Sequence, residues 1–267
     1  MIIDFHTHCY PDKLAARAIE GLCRTGGVKA FTDGTLSSLR AREQEAGVSL
    51  FVVNNIAVDA ARQSNVNAFA ASINGGDVIS FGSVHPFSDN FEEELCRLRA
   101  NGIAGIKLHP YFQDFVADDP RLLRFYETVA RLRFIVVFHA GCDISFEDRD
   151  RAAPYRLKRA AEMLAGTDVV LAHWGGSMLT EDVIGLLVDG LGDNVYFDTS
   201  FGYGNITPDN AGTIVKLRGA DRILFGSDCP WHLPAEEIRF VKSLGLGEDA
   251  ERKIFYGNAA LLLGEKC

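Results

Sequence analysis

The sequence predicts an α/β fold, a closed barrel of eight parallel strands in one domain, on three observations. Eight short, apolar, β-branched runs recur along the chain, amphipathic segments lie between most of them, and from the second run onward the unit repeats about every 30 residues. Eight such modules fill a chain of 267 residues, the size of a (β/α)8 TIM barrel. A hydrophobic content of 47% supplies the core.

The first run, Met1-Ile2-Ile3-Asp4-Phe5-His6-Thr7-His8, reads as a strand ending in two histidines. The others occupy residues 50–53, 78–81, 103–106, 134–138, 169–172, 195–197 and 223–225. Helical spacing is clearest over 91–100, 120–131, 155–165 and 180–188. An open, doubly wound sheet is the alternative, but the turn after its first strand should be glycine-rich, and here it reads His8-Cys9-Tyr10-Pro11. No stretch is rich enough in Pro, Gly or Ser to link two domains, so one domain spanning 1–267 is expected.

A net charge of −9 disfavours nucleic acid, whose binding is built on clustered Lys and Arg. No apolar run is long enough to span a bilayer, and the first residues lack the pattern of a signal peptide. The chain is therefore expected to be soluble and cytoplasmic, with no membrane partner, a small-molecule substrate, and a homodimer as the assembly to test for. Cys9, Cys23, Cys96, Cys142, Cys229 and Cys267 include no C-x-x-C pair and are expected to be reduced thiols.

Barrel enzymes carry their chemistry at the C-terminal ends of the strands. Six of the seven histidines fall at or just after such ends: His6 and His8, His85, His109, His139 and His173, while His232 follows Asp228 by four residues. A single histidine after a strand is ordinarily a loop residue; this joint placement suggests a bound metal. Residues i and i+2 of a strand share a face and lie about 6–7 Å apart, so His6 and His8 form a pincer, and Lys107 and His109 repeat the arrangement. The same alternation places Ile135, Val137 and His139 inward on strand five, Val169, Leu171 and His173 on strand six, and Leu224, Gly226 and Asp228 on strand eight. Loops at 111–115, 142–150 and 201–204, with Trp231 and His232, are expected to meet the substrate, and His109, Tyr111 and Trp231 are its candidate contacts.

At this point the chain resembles the amidohydrolase superfamily of metal-dependent hydrolases, in particular the amidohydrolase-related branch that also contains decarboxylases. The resemblance runs the whole length: His6-Thr7-His8, Gly105-Ile106-Lys107-Leu108-His109-Pro110 continuing to Gln113, His139-Ala140-Gly141, His173-Trp174-Gly175-Gly176, Phe225-Gly226-Ser227-Asp228-Cys229-Pro230 and Ile254-Phe255-Tyr256-Gly257-Asn258-Ala259. It implies that His6, His8, His139 and Asp228 are metal ligands, that Asp228 also holds the attacking water, and that His173 is a second-metal ligand or a catalytic imidazole. The donor set suits a divalent cation, zinc first. Lys107 sets the count: carbamylated, it would bridge two ions; as an ammonium paired with a carboxylate such as Asp198, it would leave one. The implied reaction is hydrolysis of an amide, lactone or ester by metal-activated water. The alternatives are nonoxidative decarboxylation of a small carboxylic acid at the same site and, remotely, a barrel that binds metal without catalysis. A nuclease-like relative would carry glutamate where this chain has Lys107.

Overall fold

The computed structural model describes residues 1–188 and 190–264, so Cys267 and the C-terminal end of the expected domain span lie outside the described residues. Eight strands alternate with helices: β1 (Ile3–Thr7), α1 (Asp12–Gly26), α2 (Leu36–Glu45), β2 (Leu50–Asn54), α3 (Gln63–Ile73), β3 (Val78–Phe81), α4 (Phe91–Ala100), β4 (Gly105–Leu108), α5 (Leu123–Arg131), β5 (Ile135–Phe138), α6 (Pro154–Met163), β6 (Val169–Leu171), α7 (Thr180–Val188), β7 (Val195–Asp198), α8 (Pro208–Arg218), β8 (Ile223–Leu224), α9 (Pro234–Ser243), α10 (Glu248–Arg252) and α11 (Asn258–Leu263). Among the described residues, no helix is long and apolar enough to cross a membrane.

The strands form two parallel ladders, β1-β2-β3 and β4 through β8 in chain order. Backbone bonds stitch both seams. At β3–β4, Gly82 N donates to Gly105 O (3.0 Å) and Lys107 N to Gly82 O (2.8 Å); at β8–β1, Phe5 N donates to Phe225 O (2.8 Å), Asp228 N to His6 O (2.8 Å) and His8 N to Cys229 O (2.7 Å). The expected (β/α)8 TIM barrel is the fold observed.

Packing divides into an inner and an outer core, as a parallel barrel covered by helices requires. Ile3, Phe5, Val52, Phe81, Ile135, Val137, Val170, Tyr196 and Leu224 fill the inside together with Ala259 and Ala260, so α11 stoppers the end where the strands begin. Phe51, Val136, Phe138, Val169, Leu171, Phe197 and Phe225 belong to the outer layer against the helices. The floor of the barrel is thus apolar, and its polar residues are left to the opposite end.

Three local departures position that polar end. The fourth strand begins at Gly105 rather than 103, which puts Lys107 inside the barrel wall instead of beyond it. Strand six reverses the expected parity: Val170 faces in, whereas Val169 and Leu171 pack outward. His173 still reaches the site because the chain leaves the ladder there, with φ of 57° at His173 and 59° at Trp174. In β1, Asp4 pairs with Phe51 and Thr7 with Val53, so three steps on one strand meet two on the other. This bulge inserts one residue and lets Phe5 and His6 both face inward.

Candidate metal centre

His6 and His8 are fixed by what their Nδ1 atoms touch. His6 Nδ1 lies 2.7 Å from Asp198 Oδ2, and His8 Nδ1 lies 2.7 Å from the carbonyl oxygen of Asn54. Each acceptor draws the proton to Nδ1, leaving Nε2 of both rings as a lone pair facing the cavity. Those Nε2 atoms converge on Asp228 Oδ1, at 3.6 Å from His6 and 3.2 Å from His8. Both rings and the carboxylate are buried. Burial, reinforced by the charge of Lys107, holds the His6 imidazolium pKa well below its ordinary value, so the ring is neutral. Two ring nitrogens and a carboxylate oxygen aimed at one another fit a cation; outer-sphere acceptors on Nδ1 are the usual companions of metal-bound imidazole.

The local chain explains this convergence. Gly226 leaves room for His6: a Cβ there would stand 2.9 Å from His6 Cβ. Asp228 adopts φ of 70° and is held by its backbone bond to His6 O, so β8 turns its carboxylate over the strand end. Asp198 also accepts from the backbone N–H groups of His173 (3.0 Å) and Ser200 (3.1 Å), tying the β6 turn to the pincer.

His109 and His139 gather in a second cluster with Asp143. Their rings stack at 4.2 Å between centroids, and Asp143 Oδ2 lies 3.4 Å from His109 Nε2 and 3.9 Å from His139 Nε2. The clusters meet through His173, whose Nε2 is 3.1 Å from His139 Nδ1 and whose Nδ1 is 2.9 Å from Ser200 Oγ. His139 therefore stands with His109 and His173 rather than beside His6 and His8. Burial is the first cause that holds the pKa values of His139 and His173 well below the ordinary range, and each is further lowered by neighbouring imidazoles.

Lys107 is fully buried at the bottom of the site, its Nζ 3.3 Å from His6 Nε2. Burial lowers its pKa to about 8 against the upward pull of Asp198 and Asp228. Among the described residues it makes no ion pair; Asp198, the expected partner, is engaged by His6 instead.

These groups line a cavity of about 740 Å³, part of it open to solvent, together with Phe112, Cys142, Phe201 and Trp231. Of the expected substrate contacts, His109 and Trp231 line it and Tyr111 does not. Tyr111 is buried edge-on against His139, at 5.9 Å, and its neighbour Phe112 takes the lining position. His232 turns away to Glu237 (2.5 Å), and His85 accepts the backbone N–H of Phe87 at 3.3 Å. Gln113 is a clasp: its side chain accepts from His109 N (2.8 Å) and donates to Ala57 O (3.0 Å) and Val84 O (3.2 Å), joining the loops after β2, β3 and β4. Sequence reasoning missed Asp143, Ser200 and Asn54 as site residues. Asp143 alone carried a signal, an acid four residues beyond His139.

A family model described as amidohydrolase matches residues 3–264. No curated protein matches the sequence. Solved structures share the fold. An uncharacterised TIM-barrel protein from Bordetella bronchiseptica superposes with a TM-score of 0.78 at 21% identity, covering 99% of this chain and 98% of that one. The 5-carboxyvanillate decarboxylase of Sphingomonas paucimobilis gives 0.74 at 14% identity, with 98% of each chain covered. A protein from Pseudomonas putida provisionally named a 2-pyrone-4,6-dicarboxylic acid hydrolase gives 0.69 at 14%, covering 100% of this chain and 98% of that one.

Proposed function

Because this chain belongs to the amidohydrolase family, we propose that it is a metal-dependent hydrolase that cleaves an amide, lactone or ester bond of a small molecule. The observation that carries the reading is the convergence of His6 Nε2 and His8 Nε2 on Asp228 Oδ1. His6, His8 and Asp228 would hold a divalent cation, zinc by the donor set, which when bound would lower the pKa of a water and polarise a carbonyl. Asp198 and the Asn54 carbonyl hold the two rings in the ligating tautomer. Asp228 accepts the proton of the water and returns it to the leaving group. His173, neutral and anchored through Ser200, is placed to donate a hydrogen bond to the substrate or to serve a second ion with His139. The buried amine of Lys107, without an anionic partner among the described residues and with its pKa brought down to about 8, supports carbamylation and hence a bridged pair of ions.

Metal analysis of protein purified without added metal, with intact-mass measurement for one added carbon dioxide on Lys107, tests the centre; one ion and an unmodified lysine remove the bridge. Asp228→Asn should keep most of the metal and lose about 10²–10⁴-fold in kcat; full activity in that variant overturns the role. Decarboxylation is the second reading, favoured by the likeness of the whole chain to the 5-carboxyvanillate decarboxylase barrel. Incorporation of solvent oxygen into product marks hydrolysis, and release of carbon dioxide without it marks decarboxylation.

A further inference from the structure

Beside the proposed reaction centre lies a second cavity, of about 1010 Å³ with its mouth included, between the loops after β1 and β2 and helices α1 and α3. His8, Tyr10, Leu22, Ile56 and Phe112 line both cavities, so the two adjoin beside the pincer and these side chains form the waist between them. The outer compartment is walled largely by apolar side chains, among them Leu14, Val58, Val66 and Phe69. Leu14 and Val58, at 57% and 51% exposure, gather at its mouth, where apolar surface left in water is the mark of a site for an apolar ligand.

Charge narrows the ligand further. Among the described residues lining the inner cavity, Lys107 is the only Lys or Arg, and it lies beneath the pincer. In the outer one, Arg62 is the only lining residue with a formal charge besides histidine, and its guanidinium is turned to solvent, 79% exposed and 3.2 Å from Asp59. Among the described lining residues, Arg62 and Lys107 are therefore the only permanent cations, one exposed and paired with Asp59 and the other buried beneath the pincer, in contrast to the buried, free cation that a second carboxylate of a dicarboxylic substrate would call for.

We propose that the outer compartment binds an uncharged, apolar extension of the substrate, an acyl chain or a comparable hydrocarbon group attached to the scissile carbonyl, passing the waist between Ile56 and Phe112. The inference rests on the reading of His6, His8 and Asp228 as the reacting end. It makes the substrate longer and more apolar than a single small ring acid.

Straight-chain hydroxamic acids test this without requiring turnover, because the hydroxamate head engages a metal centre and the tail reports passage to the outer compartment. Calorimetric titration of the metal-loaded, full-length protein with the series from acetohydroxamic to decanohydroxamic acid should show affinity rising about fourfold per methylene, and the rise should continue beyond the members that fill the inner cavity. Val66→Trp, which fills the outer compartment, should end the rise at the length that reaches it. An affinity that levels off at the short members, a Val66→Trp profile identical to the parent's, or no binding at any length overturns the outer site. A length-dependent series from a protein that hydrolyses no ester, lactone or amide leaves the outer site standing and removes the hydrolase reading; hydrolysis with a flat series does the reverse.

Discussion

Asp198 governs two imidazoles at once, fixing the His6 ring through Nδ1 and the His173 backbone through its N–H. Asp198→Asn keeps the shape but weakens the acceptor on His6, and it should lower metal affinity about 10–100-fold, measured by competition with a chelator. An unchanged affinity would show that the ring needs no such anchor. Asp4 and Glu43 are a different kind of group: two buried carboxyls against the β1–β8 seam, both raised by burial first, Asp4 to about 7 with the charge of Asp198 adding to the rise, and Glu43 well above its ordinary range with Asp4 adding to it. The folded state therefore holds protons that the unfolded chain has released. Their contribution to stability is fully present below the unfolded carboxyl pKa and is lost as pH rises through about 7 and above. Glu43→Gln, uncharged at every pH, should match the parent's melting temperature near about pH 5 and exceed it near about pH 9; equal temperatures at both would sink the idea. At this scale the sequence exposed what strand ends display, His6, His8, His109, His139, His173 and Asp228. It hid Ser200 and Asn54, because a serine hydroxyl or a backbone carbonyl acquires a role only when a distant strand is brought beside it.

Each strand end works by a small backbone device that the side-chain pattern does not announce. Gly226 is one, since an added methyl would press on His6, Ser200 and Asp198, at 2.9, 3.3 and 3.4 Å between Cβ atoms. Gly226→Ala should cost about 1–3 kcal/mol in denaturant unfolding and weaken metal binding with it. Gly212→Ala, inside α8 with no atom within 4 Å of the new methyl, should instead stabilise by about 0.5–1 kcal/mol. A Gly226→Ala protein as stable as the parent would mean that β1 and β8 yield more easily than their spacing implies. Strand and helix positions were legible because strands buried on both faces read as unbroken apolar runs, and helices such as α4 and α7 fall at their expected limits. Parity on β6 was not legible: alternation holds only while the chain stays in the ladder, and His173 lies beyond the point where it leaves.

For the molecule as a whole, an ion held as proposed by His6, His8 and Asp228 would tie the end of the first strand to the turn after the last. Removing it should lower the melting temperature by about 10 °C, the loss expected for a ligand present at 100–1,000 times its dissociation constant in a chain of this length. Scanning calorimetry before and after chelation, with metal content measured on the same samples, checks this; an unchanged transition in demetallated protein would show that the ion adds nothing to closure. Barrel topology was readable from the count and spacing of apolar runs, whereas the division of the mouth into two imidazole clusters and the second cavity beside the pincer were not, since both depend on how loops of different modules lean on one another. The bulge in β1 bears on how such a protein can change over generations. On the near side of the inserted residue, Ile3 and Phe5 serve the stoppered floor; on the far side, His6 and His8 face the cavity where the ion is proposed. Drift in one set need not be answered in the other. Deleting a single residue between Asp4 and Thr7 would restore a regular ladder and force one inward position to choose between anchoring the fold and holding the metal, so the insertion is the means by which one strand inherits both tasks.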